Sequence, residues 1–428
     1  MPAEYIEIDL PYGHDVIKVR VPKENIAAIL SPRHAKALKD ERSAIERSLK
    51  SSIACPPLAS LVKGGDRVVV IVTDNTRACP DDRLLPPILA ELEQKVQREN
   101  ITIIVALGLH KPMSQAELVK KLGEDILANY RVLNHDVNDT VNVGVTTRGT
   151  PVEINRRVVE ADFRISTGFI EPHFFAGFSG GRKSIAPGVF SVRAAYKNHG
   201  YEMIKHPYSR AGILKGNPVH EDMVEQAVMA KLNFIVNVIL DKDRAITHVV
   251  AGHPVKAHEA GCAFVSDIAT VKIRQKVDIA ICTNSGAPLD LDLYQTCKGI
   301  YTASSITRHG GVIIMASSCH EGMGPASFEE LHASVTCPEE VLGKIKNEEP
   351  LGVQWENQVL AMSHLGKEIY LLSNLEDSAV RRMMMTPIHS IEEGLDRAFR
   401  KLGADARIGV IPEGPLVIPL VERYSQAE

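Results

Sequence analysis

A series of apolar runs, each about five to nine residues long, constrains the fold of this chain most. They fall at residues 67–72 (RVVVIV), 101–109 (ITIIVALGL), 163–167 (FRIST), 234–240 (FIVNVIL), 278–282 (DIAIC), 311–317 (GVIIMAS), 368–373 (EIYLLS) and 406–411 (ARIGVI). A continuous apolar run fits a strand covered on both faces, as in parallel sheets, whereas a half-solvated strand alternates. Between the runs, residues 81–99, 115–130, 253–271 and 391–402 carry apolar side chains at three- and four-residue steps, the helical period. The opening is different: residues 5–10 and 16–21 alternate in period two around Gly13, which predicts a hairpin. Strand and helix patterns that alternate give an α/β fold. The expectation is two domains with largely parallel sheets flanked by helices and the active site between them. The boundary falls after the 253–271 helix, giving an N-terminal cofactor-binding domain at 1–272 and a C-terminal domain at 273–428.

Charge and cysteine placement exclude several classes. Lys plus Arg is 49 and Asp plus Glu is 53, a formal net charge of -4, so bulk electrostatics do not point to nucleic acid. Cys55, Cys79, Cys262, Cys282, Cys297, Cys319 and Cys337 form no CxxC pair, which leaves no zinc-ribbon spacing, and their scatter fits a reducing compartment. The start lacks the basic region and apolar run of a signal peptide, and no stretch reaches the roughly 18 apolar residues of a membrane span. The expectation is a soluble cytoplasmic protein.

In open α/β sheets ligands bind beyond the carboxyl ends of the strands. The segments that follow the apolar runs are therefore the candidate site. They are TDNTR (Asp74, Asn75, Thr76, Arg77), then His110, then GFIEPHFFAGFSGGRKS with His173 and Lys183, then TNSGAPLDLDLYQTCK with Tyr294, Gln295 and Lys298, then Ser318, Cys319 and His320. GFSGGRKS resembles a phosphate-binding P-loop, with Gly177, Lys183 and Ser184 in register. Arg182 stands where that motif needs glycine for close backbone approach, which disfavours a nucleotide triphosphatase. Gly180, Gly181, Arg182 and Lys183 could still hold an anion, or form a plain turn with two solvated cations. His110 at a strand end suits a general base. His173 beside aromatics suits a core histidine as well as a catalyst. His199 could cap a helix or bind a metal, although one histidine alone is a poor metal signal. Asp74 and Arg77 read as a loop ion pair or a carboxylate clamp. Gln295 and Lys298, three apart, share a face if helical.

Taken in order, TDNTR, GLHKP, GFIEPHFFAGFSGGRKSIAPG, KNHG and YQTCKG resemble the nickel-pincer lactate racemase family, from the opening IDLPYG to the late VIPEG. The resemblance implies a 2-hydroxyacid racemase, an isomerase interconverting D and L forms by reversible hydride transfer, with lactate the first choice of substrate. Malate, an aryl-lactate or a sugar acid is the alternative, and a phosphate- or nucleotide-binding protein a further one. The implied cofactor is Ni(II)-pyridinium-3,5-bisthiocarboxylate mononucleotide, attached covalently through Lys183, supplied by cofactor-synthesis enzymes and contacted by residues 74–77. His199 would complete the square-planar nickel set, so one histidine suffices. His110 and His173 match the two proton-transferring histidines, one per enantiomer. Arg77, Tyr294, Gln295, Lys298 and Trp355 match substrate-binding positions. Net charge and the lack of a long apolar stretch give the expectation of no nucleic-acid or membrane partner.

Co-expression with the synthesis enzymes should raise the intact mass above that of the sequence, and Lys183→Ala should restore the bare mass. Peptide mapping that finds the adduct on another lysine would remove Lys183 from this role.

Overall fold

The computed structural model describes residues 4–422. They form two compact units, one of residues 34–268 and one that joins residues 4–33 to 269–422. Both are α/β with mainly parallel sheets flanked by helices, as the apolar runs imply. Among the described residues no helix is long and apolar enough to cross a membrane.

In the 34–268 unit the sheet order is Ile246–Gly252, Phe234–Leu240, Phe163–Phe169, Val68–Thr73, Ile101–Ala106, Arg131–Asn134. All neighbours are parallel except the first pair. The chain starts at Val68–Thr73 and steps outward twice. It then returns to lay Phe163–Phe169 on the other side of that first strand. The winding therefore reverses between Val68–Thr73 and Phe163–Phe169, and the crevice beyond their carboxyl ends is where such a sheet binds ligands. Val68, Val70 and Val72 pack with Leu84, Leu85 and Ile88 of the helix Asp81–Leu92. That helix stops short of the expected residue 99. The 115–130 segment divides at Gly123 into helices Gln115–Leu122 and Glu124–Asn129. The run expected to be strand to residue 109 ends at Ala106. Gly108, at φ +55°, turns the chain there and its N–H bonds Gly188 O at 2.9 Å, which leaves His110 on a loop.

In the other unit six parallel strands run in the order Thr386–Ile388, Glu368–Leu372, Thr307–Ala316, Val277–Thr283, Ile408–Ile411, Ile26–Ile29. The winding reverses between Val277–Thr283 and Ile408–Ile411. Alternate residues of Val277–Thr283 serve two cores. Ala280 and Cys282 pack with Leu293, Cys297 and Ile300, while Ile279 and Ile281 pack with Ile391 and Leu395. The hairpin expected around Gly13 forms from Tyr5–Tyr12 and Asp15–Pro22. Its inward residues Ile8, Leu10, Val19 and Val21 join the core of Ile279, Ile281 and Val410. Residues 1–33 thus depart from the expected 1–272 grouping. Their apolar face and the strand Ile26–Ile29 are covered by the sheet of the 269–428 segment, which an apolar pattern alone could not disclose.

Leu10→Ala should cost about 2–5 kcal/mol, as for other buried leucines. Hydrogen exchange should then rise in strands Val277–Thr283 and Ile408–Ile411 and stay unchanged in Val68–Thr73. Loosening centred on Val68–Thr73 would contradict this assignment of the hairpin.

Candidate functional site

The loop leaving Val68–Thr73 begins with Asp74, whose side chain is 2% exposed. Its Oδ1 accepts from the Thr76 N–H at 2.8 Å and the Thr76 hydroxyl at 2.5 Å, and its Oδ2 faces His110 Nδ1 at 2.7 Å. A carboxylate only accepts, so Nδ1 carries the hydrogen and Nε2 of the neutral ring keeps its lone pair. The His110 side chain is 40% exposed. Burial alone would push the Asp74 carboxyl up. The hydrogen bond from His110, the charge of Arg77 and the Thr76 hydroxyl outweigh it and bring the value down to about 2. The expected loop pair of Asp74 and Arg77 is thus chiefly an Asp74–His110 pair.

A second carboxylate holds this loop from beneath. Fully buried Asp81 accepts from the Thr73 hydroxyl at 2.6 Å and the Thr167 hydroxyl at 2.5 Å, so it ties together the carboxyl ends of the two strands at the reversal. Lys121 Nζ lies 3.1 Å from Asp81 and donates to Arg77 O at 3.0 Å and Cys79 O at 2.7 Å. Neither residue was singled out in the sequence. An acid in the first turn of a helix reads as a dipole partner, and a lysine in a last turn as a solvated one.

The loop leaving Phe163–Phe169 forms a short antiparallel pair, Pro172–His173 with Gly177–Phe178. His173 stacks on Phe174 at 4.8 Å and meets Phe175 edge-on at 4.6 Å. Its Nδ1 accepts from the Ala176 N–H at 3.3 Å, and its Nε2 lies 3.2 Å from Lys183 Nζ. Lys183 Nζ stands 5.8 Å from the centre of the Phe175 ring, and His199 meets the same ring edge-on at 5.2 Å. Phe175, which the sequence reading passed over, is therefore the shared wall of His173, Lys183 and His199. His199 ends the helix Val192–Asn198, its N–H bonded to Ala195 O at 2.9 Å. Burial, then the charge of Lys183, lowers its pKa to about 3, so the ring is neutral. Neutral imidazole is the form that binds metals. The preceding Asn198 is anchored on Asp222 at 2.7 Å, a buried carboxylate that also accepts from Thr146 and Gln226.

Arg182 departs from the anion-holding expectation. It is 3% exposed and donates to Ala176 O at 2.7 Å and Gly180 O at 3.1 Å, with His258 Nε2 at 3.0 Å. The guanidinium pins the Gly-rich turn from inside, so only Lys183 of the basic pair remains toward the candidate site.

In the other unit, Asp292 caps the helix Leu293–Ile306 by accepting from the Gln295 N–H at 2.7 Å. Lys298 Nζ donates to Gln295 Oε1 at 2.8 Å, so the two share a face as expected. Tyr294 meets Phe328 edge-on at 5.7 Å, and Trp355 is half-buried on the helix Gln354–His364. Asn284, missed in the sequence, is fully buried. Its Oδ1 accepts from the Gly299 N–H at 3.0 Å and its Nδ2 donates to Gln295 O at 3.1 Å and to Leu289 O, so it brackets Lys298.

Residues 12–212 match the lactate racemase N-terminal domain and residues 272–419 the lactate racemase C-terminal domain. A lactate racemase of Thermoanaerobacterium thermosaccharolyticum is 39% identical over 420 residues, covering 96% of this chain and 98% of that one. The chain belongs to the lactate racemase family. Another lactate racemase, from Lactiplantibacillus plantarum, is 37% identical over 422 residues, 96% of this chain and 99% of that one. The solved lactate racemase apoprotein of T. thermosaccharolyticum superposes with a TM-score of 0.93 at 38% identity, over 97% of this chain and all of that one. A Thermotoga maritima protein with a TM-score of 0.67 and 17% identity, over 90% of this chain, shares the fold.

Because the Asp74 pKa is lowered on folding, its contribution to the stability of this lactate racemase family member is full above the unfolded value near 3.9. It is lost as pH falls toward about 2. Unfolding free energies from denaturant titrations between pH 5 and pH 2.5 should fall more in the native protein than in Asp74→Asn, by about 1–2 kcal/mol. Parallel pH profiles would contradict the charge state assigned to Asp74.

Proposed function

We propose that the chain is a lactate racemase, an isomerase that interconverts D- and L-lactate. The observation that carries the reading is a pair of histidines on the two loops at the sheet's reversal point. Each has Nδ1 committed to a fixed partner, in a chain aligned over nearly its whole length with lactate racemases. Two bases, one for each enantiomer's hydroxyl, are what a racemisation through a planar 2-keto acid requires.

The residues fit the nickel-pincer nucleotide implied by the sequence resemblance. Among the described residues no group of three or more His, Cys, Asp or Glu suits a metal ion. A metal on neutral His199 would therefore draw its other ligands from a cofactor, and Lys183, sharing the Phe175 wall with His199, is the amine placed to hold one. When bound, that group supplies an acceptor for the C2 hydrogen as hydride and returns it. His110 Nε2, with its tautomer set by Asp74, takes the hydroxyl proton of one enantiomer and gives it back. His173 serves the other enantiomer's hydroxyl once its ring releases the Ala176 N–H, since Nδ1 as an acceptor leaves the hydrogen of the neutral ring on Nε2. A cofactor held covalently at Lys183 Nζ would remove the cation now 3.2 Å from His173 Nε2. The resemblance gives Arg77 of one unit and Tyr294, Gln295, Lys298 and Trp355 of the other as substrate-binding positions, and residues 74–77 as cofactor contacts. Cofactor-synthesis enzymes are the implied partners. The seven free cysteines support a reducing, cytoplasmic setting.

The test is enantiopure L-lactate in D₂O with cofactor-loaded protein, followed by chiral chromatography and NMR. D-lactate should appear with protium retained at C2, and faster than malate turns over. His110→Ala and His173→Ala should each lose about 10²–10⁴-fold in rate with nickel content unchanged, whereas His199→Ala should lose nickel. Deuterium at C2 would mean proton abstraction and overturn the two histidine roles.

A further inference from the structure

The carboxyl end of Val277–Thr283 lies at the reversal point of its sheet, the position from which α/β sheets contact ligands. Three polar side chains follow in a row. Thr283 Oγ1 donates to Pro412 O and accepts from the Ser285 N–H at 3.1 Å. Asn284 is consumed in holding Leu289, Gln295 and Gly299. Ser285 is different. Its backbone sits at φ +68°, a conformation that side chains other than glycine rarely adopt, and its Oγ is shielded from solvent without a hydrogen-bond partner. A serine kept only for the turn would be better replaced by glycine, which adopts this φ freely and buries no hydroxyl. Strain and an unmatched hydroxyl at one residue, at a ligand-binding edge, mark a binding position.

We infer that Ser285 is a substrate contact, its hydroxyl donating to the carboxylate of the 2-hydroxy acid bound by Gln295 and Lys298. Asn284 bonds the backbone on either side of Lys298, so the chain segment that carries Ser285 and the helix that carries Gln295 and Lys298 are fixed to one another. This deepens the reading given under Proposed function and rests on it.

The experiment is calorimetric binding of oxalate, a carboxylate that cannot turn over, to holoenzyme carrying Ser285→Ala or Ser285→Gly, alongside KM for lactate. Both variants should bind oxalate about tenfold more weakly and raise KM by a similar factor with kcat less affected, while Ser285→Gly keeps or raises Tm. Native affinity in Ser285→Ala would overturn the proposal, as would weakening confined to Ser285→Gly, which would assign the role to the backbone. Absence of oxalate binding by the native holoenzyme would also overturn it. Native holoenzyme that binds oxalate but does not racemise lactate would instead overturn the functional reading, and the two variants would still report on Ser285.

Discussion

One carboxylate carries the geometry of the loops at the reversal point of the 34–268 sheet. Asp81 is bonded to a hydroxyl at the end of each strand flanking the reversal point, and Lys121 neutralises it while capping two carbonyls of the loop that presents Asp74 and Arg77. A buried ion pair of this kind adds little net stability over a packed apolar pair, but removing one member typically costs about 3–5 kcal/mol. Its value here is positional. The spacing of the two strand ends and the path of residues 74–79 are set by a single group that accepts from Thr73, Thr167 and the Cys79 thiol and faces Lys121.

Environment separates the roles of chemically identical side chains. His110 is solvent-accessible and held by a carboxylate, which fixes its tautomer and leaves Nε2 facing outward from that pair. His199 is buried with a cation nearby, which excludes its protonated form and leaves a ligand nitrogen. Arg182 and Lys183 divide in the same way. One guanidinium satisfies carbonyls inside the turn, and the neighbouring amine reaches the aromatic wall at Phe175.

The strands were legible because burial on both faces forces unbroken apolar runs, and Phe234–Leu240 occupies the residues its run marked. The helix Ile391–Leu402 was equally legible, with Ser390 as its cap and Gly403 after it. Short edge strands such as Ile26–Ile29 and Thr386–Ile388 were missed, since three or four residues carry too little period to stand out. At the candidate site, His110, His173 and Lys183 stood out by their place after apolar runs and His199 by its motif. Lys121, Asp81 and Asn284 were not, because a buried polar residue satisfied by distant partners has no local signature. Arg182 was misread for the same reason: a charge in sequence suggests solvent, and only the carbonyls of Ala176 and Gly180 show otherwise.

The allegiance of the first 33 residues bears on how the chain is made. Strand Ile26–Ile29 completes its sheet only by pairing with Ile408–Ile411, which emerges from the ribosome some 380 residues later. At about 5–20 residues per second that is a wait of roughly 20–80 s. The 34–268 unit is contiguous and can close during that interval, while the hairpin's apolar face stays uncovered and open to chaperones. A segment that waits this long ties completion of its sheet to the synthesis of Ile408–Ile411, so a message cut short before that strand leaves an open sheet edge, a mark by which quality control removes a chain.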